Sequence, residues 1–147
     1  MTSTLNTQMT FWWRWLIAVS AGVVLFGLLL VLFPAFTLQG FSLMVYANAD
    51  QLGQNTPAAV SYIKLAHAVL GSVMVGWGVA LLYVLFCTFR DHLAICWKTI
   101  IGSVLVWFIP DTTYSLLSGF WQNAVLNVVF LILFAIPLIA LRKHIFK

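Results

Sequence analysis

Four stretches of the chain carry apolar residues almost without a break, and polar residues gather between them. The runs fall at about 16–36, 63–86, 95–117 and 124–141. Each reaches or approaches the ~20 residues that a helix needs to cross a bilayer. The pattern predicts an all-α integral membrane protein, a single four-span domain over 1–147 folded as a four-helix bundle.

The connections carry their own signals. Pro34 ends the first run, because proline removes a helical donor and pushes the residue before it out of the α region. The segment "FTLQGFSLMVYA" mixes apolar and polar residues, as a short piece lying along the membrane interface does. "NADQLGQN" follows as a polar turn. Thr56 then Pro57 reads as an N-cap with proline at the first helical position. A helix from Pro57 to Thr88 would be about 48 Å long at 1.5 Å per residue. It should therefore protrude from the roughly 30 Å hydrocarbon layer or tilt within it. Ser118-Gly119 is a tight hairpin that makes the last two spans antiparallel neighbours.

Composition removes the soluble alternative. The chain is 63% hydrophobic and 7% charged, with a mean hydropathy of +1.06. Soluble domains carry about 25% charged residues, so too few polar groups exist here to cover a water-facing surface. The seven basic residues are scattered and form no nucleic-acid patch. Their placement sets a direction instead. With both termini in the cytoplasm, Arg14, Arg90, Lys98, Arg142, Lys143 and Lys147 lie inside and only Lys64 outside. The first span is too long for a signal-peptide core and has no small-residue cleavage site after it, so it reads as a retained anchor. Trp12, Trp13, Trp15 and Trp97 fall at the inner boundary and Trp121 at the outer, as aromatic belts do.

One polar cluster stands out. "FIPDTTYSLLSGFWQNAVLN", from Phe108 to Asn127, holds Asp111, the one acidic residue within a span. Counting from Gly119, Asp111, Asn123 and Asn127 sit about 12, 6 and 12 Å below the turn. Asp111 is thus expected level with Asn127, with Asn123 on the same face of the last helix as Asn127. Thr112, Tyr114 and Ser115 add hydroxyls, and Pro110 strips a backbone carbonyl of its donor at that depth. Lys64 and His67, three residues apart on the second span, start higher, yet either is a candidate partner for Asp111. Asp111, His67, Lys64, Asn123, Asn127, Tyr114, Ser115 and Thr112 therefore form the candidate ligand-binding set, an outward-facing polar pocket. Two blander readings stand beside it: polar residues that bond helices together, and a solvated helix end.

Other features carry less chemistry. No nucleotide loop, zinc-protease, nucleophile-elbow or Cys/His metal pattern is present. No cofactor and no catalytic residue is indicated. His92 and His144 read as surface residues in charge-rich segments. Cys87 and Cys96, with eight residues between them, match no redox or zinc spacing and read as buried small hydrophobes. Gly71, Met74, Val75 and Gly78 follow His67 on one stripe and are expected to face the core.

The stretch from Gly27 to Leu82 resembles the DoxX-like small four-helix bacterial membrane proteins. The likeness rests on the first span ending at Pro34-Ala35, on "FTLQGFSLMVYANADQ", and on "LAHAVLGSVMVGWGVALL". It covers the first half only and implies a multi-pass protein of the bacterial cytoplasmic membrane. Roles in that group run from oxidoreductase accessory subunits to unknown ones, and no catalytic residue carries over. The reading that follows is a binding or accessory protein, more in keeping with a non-enzyme. Its candidate partners are the lipid bilayer, a small ligand or quinone, a membrane-protein partner or a second copy. The alternatives are a small proton-coupled transporter, a membrane redox subunit and an immunity-type membrane protein. A carrier needs polar residues through the whole thickness, and the inner halves of the spans offer almost none.

Overall fold

A computed structural model describes residues 7–46 and 55–145. It contains α1 (Thr7–Leu32), α2 (Pro34–Tyr46), α3 (Pro57–Thr88), α4 (Leu93–Leu117) and α5 (Trp121–Ile145), with no strand among the described residues. Four of these, all but α2, are long and apolar enough to cross a membrane. Their 26, 32, 25 and 25 residues correspond to about 39, 48, 38 and 38 Å, each longer than the ~30 Å hydrocarbon core. The fold is that of a multi-pass helical membrane protein. The polar turn "NADQLGQN" lies almost wholly outside the described residues.

Large apolar side chains point outward on every long helix: Leu117 is 84% exposed and Val106 75%. In water these would be costly. In lipid they are the covering, and helices associate through close packing and hydrogen bonds rather than through apolar burial.

The helix ends follow the local chemistry. α1 ends at Leu32 beside Pro34, which offers no N–H, while Phe33 N–H still bonds the Leu29 carbonyl and Thr37 N–H the Phe33 carbonyl, both at 3.0 Å. Pro34 then opens α2, and Thr37 donates to the carbonyls of Phe33 and Pro34 at 3.2 and 3.3 Å. The expected interfacial piece is thus a regular 13-residue helix, which makes five helices where four were expected. Thr56 caps α3 as its sequence implies, its Oγ1 accepting from Ala59 N–H at 3.2 Å.

The chain forms two compact units, Met1–Ala21 with Ala80–Lys147, and Gly22–Val79. In the second, α1 and α3 touch through glycine. A Cβ on Gly27 would stand 2.6 Å from the Gly71 carbonyl oxygen, and one on Gly71 2.5 Å from that of Gly27. Only glycine lets two backbones come this near. Gly71 and Gly78 are buried and Met74 and Val75 half-buried, so the expected inward stripe is present. From α2, Phe41 meets Phe26 of α1 and His67 of α3.

In the first unit, buried residues recur every fourth position, Leu81, Leu85 and Phe89 at the end of α3 and Cys96, Ile100 and Val104 on α4. Leu16 and Ser20 of α1 and Phe134, Leu138 and Leu141 of α5 are buried as well, and α4 packs along α5. Cys96 is buried as expected. Cys87 is exposed, because it lies two positions from both Leu85 and Phe89, off their stripe, and both thiols are free. His92 is exposed as expected, but His144 is half-buried.

Three indoles tie this unit together. Trp13 donates to the Leu85 carbonyl at 3.3 Å, within the last turn of α3 where carbonyls lack helical donors. Trp97 donates to Leu138 at 2.7 Å. Trp15 donates to Leu133 at 3.0 Å. Leu133 is four residues before Pro137, which lies inside α5 and has no N–H to give it. The Trp15 indole thus supplies from α1 the donor that Pro137 withholds.

Candidate functional site

The polar cluster is built on the α4–α5 hairpin. α4 ends in a Schellman turn. Gly119 takes the left-handed conformation, at φ +82, which carries little steric cost for glycine. Its N–H bonds the Leu116 carbonyl at 3.2 Å, and Phe120 N–H bonds the Ser115 carbonyl at 2.8 Å. This turn reverses the chain within three residues, Ser118 to Phe120, and sets the register of α5 against α4.

That register brings five of the expected residues into hydrogen bonds, three in one group and two in a separate pair. Asn123 Nδ2 donates to Asp111 Oδ1 at 3.1 Å and to Ser115 Oγ at 2.8 Å. Ser115 Oγ donates to the Asp111 carbonyl oxygen at 2.7 Å and stands 3.5 Å from Asp111 Oδ1. One hydroxyl proton serves one strong bond, and the shorter contact takes it. Asn127 Nδ2 donates to Thr112 Oγ1 at 3.2 Å. Ser115 and Asn127 are buried; Asp111, Thr112 and Asn123 are half-buried. The side-chain amide of Asn123 thus presents its NH2 to both Asp111 and Ser115.

Asp111 and Asn127 count to the same distance below the turn, and the Asp111 carboxylate bonds Asn123 while Asn127 bonds Thr112. A count of rise does not fix the helix faces, which choose the partners within the hairpin. Tyr114 stands off the group and is 71% exposed. Pro110 is accommodated within α4 without ending it.

Lys64 and His67 belong to the other unit. His67 Nδ1 lies 2.8 Å from the Ile63 carbonyl oxygen, which can only accept, so Nδ1 carries a proton there. Its ring packs edge-on against Phe41, with centroids 5.2 Å apart. Lys64 is half-buried, one turn earlier. No group of three or more His, Cys, Asp or Glu able to hold a metal exists among the described residues.

Chemically, the hairpin offers a carboxylate held by neutral donors. Its Oδ1 accepts from Asn123. On α4 the nearest basic residue is Lys98, and on α5 it is Arg142. These lie about 20 Å from Asp111 and about 23 Å from Asn127 along their helices. The arrangement can fix one acceptor oxygen in a set direction. It lacks a nucleophile–base pair.

Comparison with family models, with curated proteins and with solved structures finds no match. The likeness to DoxX-like proteins rests on the sequence of Gly27–Leu82 alone.

Proposed function

We propose that this is a binding or accessory protein of the bacterial cytoplasmic membrane, a four-span bundle with both termini inside and a polar site at the outer end of the α4–α5 hairpin. The observation that carries the reading is the closed group of Asp111, Ser115 and Asn123, which holds one carboxylate oxygen in a set direction against neutral neighbours. A group that only bonded helices together would have no use for an acidic side chain, which is costly to insert within a membrane span. An amide at position 111 would bond as well without that cost.

The site is confined to one end. Beyond Asn127, α5 runs "VVFLILFAIPLIAL" without a charged or hydrogen-bonding side chain. That pattern favours holding a ligand or a partner over carrying a solute across. The bias of basic residues favours the inward placement of the termini.

The test is extraction of the protein from its own membrane in a mild, lipid-preserving polymer, followed by identification of co-purifying molecules. Wild-type protein should bring down a species that Asp111→Leu protein does not. Identical species and amounts in both preparations would refute the reading.

A further inference from the structure

We infer that the α4–α5 seam, at the end of the bundle that carries the basic residues, seats the phosphate of an anionic membrane phospholipid between Lys98 and Arg142. The inference is independent of the hairpin group, which lies at the other end of the same two helices.

Charge comes first. Arg14, Arg90, Lys98, Arg142 and Lys143 are all exposed, and all belong to the unit of Met1–Ala21 with Ala80–Lys147. The indole bonds gather them at one end of it. Trp13 and Trp15, on either side of Arg14, bond Leu85 and Leu133. Trp97, next to Lys98, bonds Leu138, one turn before Arg142. Among the described residues Asp91 is the one acid at that end, since Asp111 is about 20 Å further along α4. One carboxylate against five cations leaves this end positive and attractive to anions.

The helix faces decide which cations converge, each residue turning the helix by about 100°. On α4, Trp97 marks the side that faces α5. Cys96, Ile100 and Val104 lie about 100°, 60° and 20° to one side of it and are buried, Cys96 being bonded to the Thr88 side chain of α3. Lys98 lies about 100° to the other side and is exposed. On α5, Asn123 and Asn127 mark the side that faces α4. Leu133, whose carbonyl takes the Trp15 indole of α1, lies about 80–120° to one side of them. Arg142 lies about 60–100° to the other side and is exposed. Lys98 and Arg142 therefore turn to the same flank of the seam, away from the parts of α1 and α3 in this unit and toward lipid. Lys143, a further 100° or so round α5, points away from the seam.

Height and surroundings select the source of the anion. Lys98 and Arg142 are about 7.5 Å apart along the axis, a gap that two long side chains close on one phosphate. α4 and α5 each exceed the hydrocarbon layer by about 8 Å. In centred helices Arg142 sits at the hydrocarbon boundary and Lys98 about 4 Å inside it, so both heads reach the phosphate level, Lys98 by snorkelling. Toward the bilayer centre the Lys98 face is apolar. Leu105 and Ile109, within about 20° of Lys98, are 40% and 58% exposed. Between them Gly102, where an added Cβ would meet nothing within 4 Å, leaves the surface low. A phosphate that carries an acyl chain fits this face, whereas a free phosphate would use only its cations.

The experiment is native mass spectrometry of purified protein titrated with phosphatidylglycerol and phosphatidylethanolamine, which share a phosphate and acyl chains and differ in net charge. Wild-type protein should prefer phosphatidylglycerol by roughly 25-fold, two basic residues at about 1 kcal/mol each. Lys98→Gln and Arg142→Gln should each cut that preference about fivefold. Lys98→Arg and Arg142→Lys, which keep the charge, should keep the preference, and this separates lost charge from lost fold. Lys143→Gln, the same loss of charge on another face, should leave it unchanged. Inorganic phosphate in excess should not displace the lipid. No preference in the wild type, or an equal loss in Lys143→Gln, overturns the inference and leaves only general attraction to a basic surface. Displacement by inorganic phosphate overturns the lipid as the occupant.

Discussion

Asn123 is the residue on which the hairpin group turns, and its replacement by leucine has a calculable cost. The side chains are alike in size, so packing changes little. Two donated bonds disappear, to Asp111 Oδ1 at 3.1 Å and to Ser115 Oγ at 2.8 Å. Interhelical bonds in membranes average about 0.6 kcal/mol and reach about 1.7. Two of them give about 1.2 to 3.4 kcal/mol, and the upper half is expected because one acceptor is a carboxylate. What remains to Oδ1 is Ser115 at 3.5 Å, too long to compensate. Asn127→Leu removes one bond between neutral groups, so it should cost about 0.6 kcal/mol. Reversible unfolding in mixed detergent micelles measures both. The order Asn123 above Asn127, by about 2–3 kcal/mol, is the expected result. A cycle of Asn123→Leu with Ser115→Ala should also be non-additive by at least about 0.5 kcal/mol, because the two residues share a bond. Asn127→Leu costing as much as Asn123→Leu, together with an additive cycle, would refute the proposed bonding.

Three further outcomes are expected. Trp15→Phe should destabilise by about 1 kcal/mol through loss of the donor to Leu133, and should cost far less in a Pro137→Ala background, where the helix supplies its own N–H; an equal cost in both backgrounds, by the same unfolding assay, would dissociate the indole from the proline. Gly27→Ala and Gly71→Ala should each cost about 1–3 kcal/mol, whereas Gly22→Ala and Gly76→Ala, where an added methyl meets nothing within 4 Å, should cost nothing measurable. Reporter fusions after Arg90 and at Lys147 should report cytoplasm and fusions within residues 48–55 the outside; a C-terminal fusion reporting the outside would invert the proposed orientation.

Much of this architecture was legible because it is local. Apolar run length gave the long helices, and Thr56-Pro57 and Ser118-Gly119 marked a cap and a turn whose chemistry acts over a few residues. The polar residues of the hairpin could be grouped because a short turn fixes the register of its neighbours. What sequence could not supply was facing. Asp111 finds Asn123 rather than Asn127 because of the rotation of each helix about its axis, which membrane helices that are apolar all round leave unmarked. Nor does a tryptophan near a helix end announce its partner. Trp13, Trp15 and Trp97 fit a belt at the membrane boundary by position, yet their N–H groups bond carbonyls of other helices. The Pro137–Trp15 relation spans 118 positions between Trp15 and Leu133, beyond any periodicity.

That long span has a consequence for how the chain is made. Residues emerge from the ribosome at about 5–20 per second, so Trp15 is synthesised roughly 6–24 seconds before Leu133 exists to accept its proton. Throughout that interval the first helix resides in the insertion machinery or the bilayer with its indole donor engaged elsewhere. The last helix, for its part, arrives with a carbonyl that its own proline cannot serve. The Trp15–Leu133 bond is therefore a late event of biogenesis, a latch between the oldest and the youngest helix. Chains stalled before residue 133 lack the second half of α5 and with it the latch, and should be far more sensitive to protease than the finished protein.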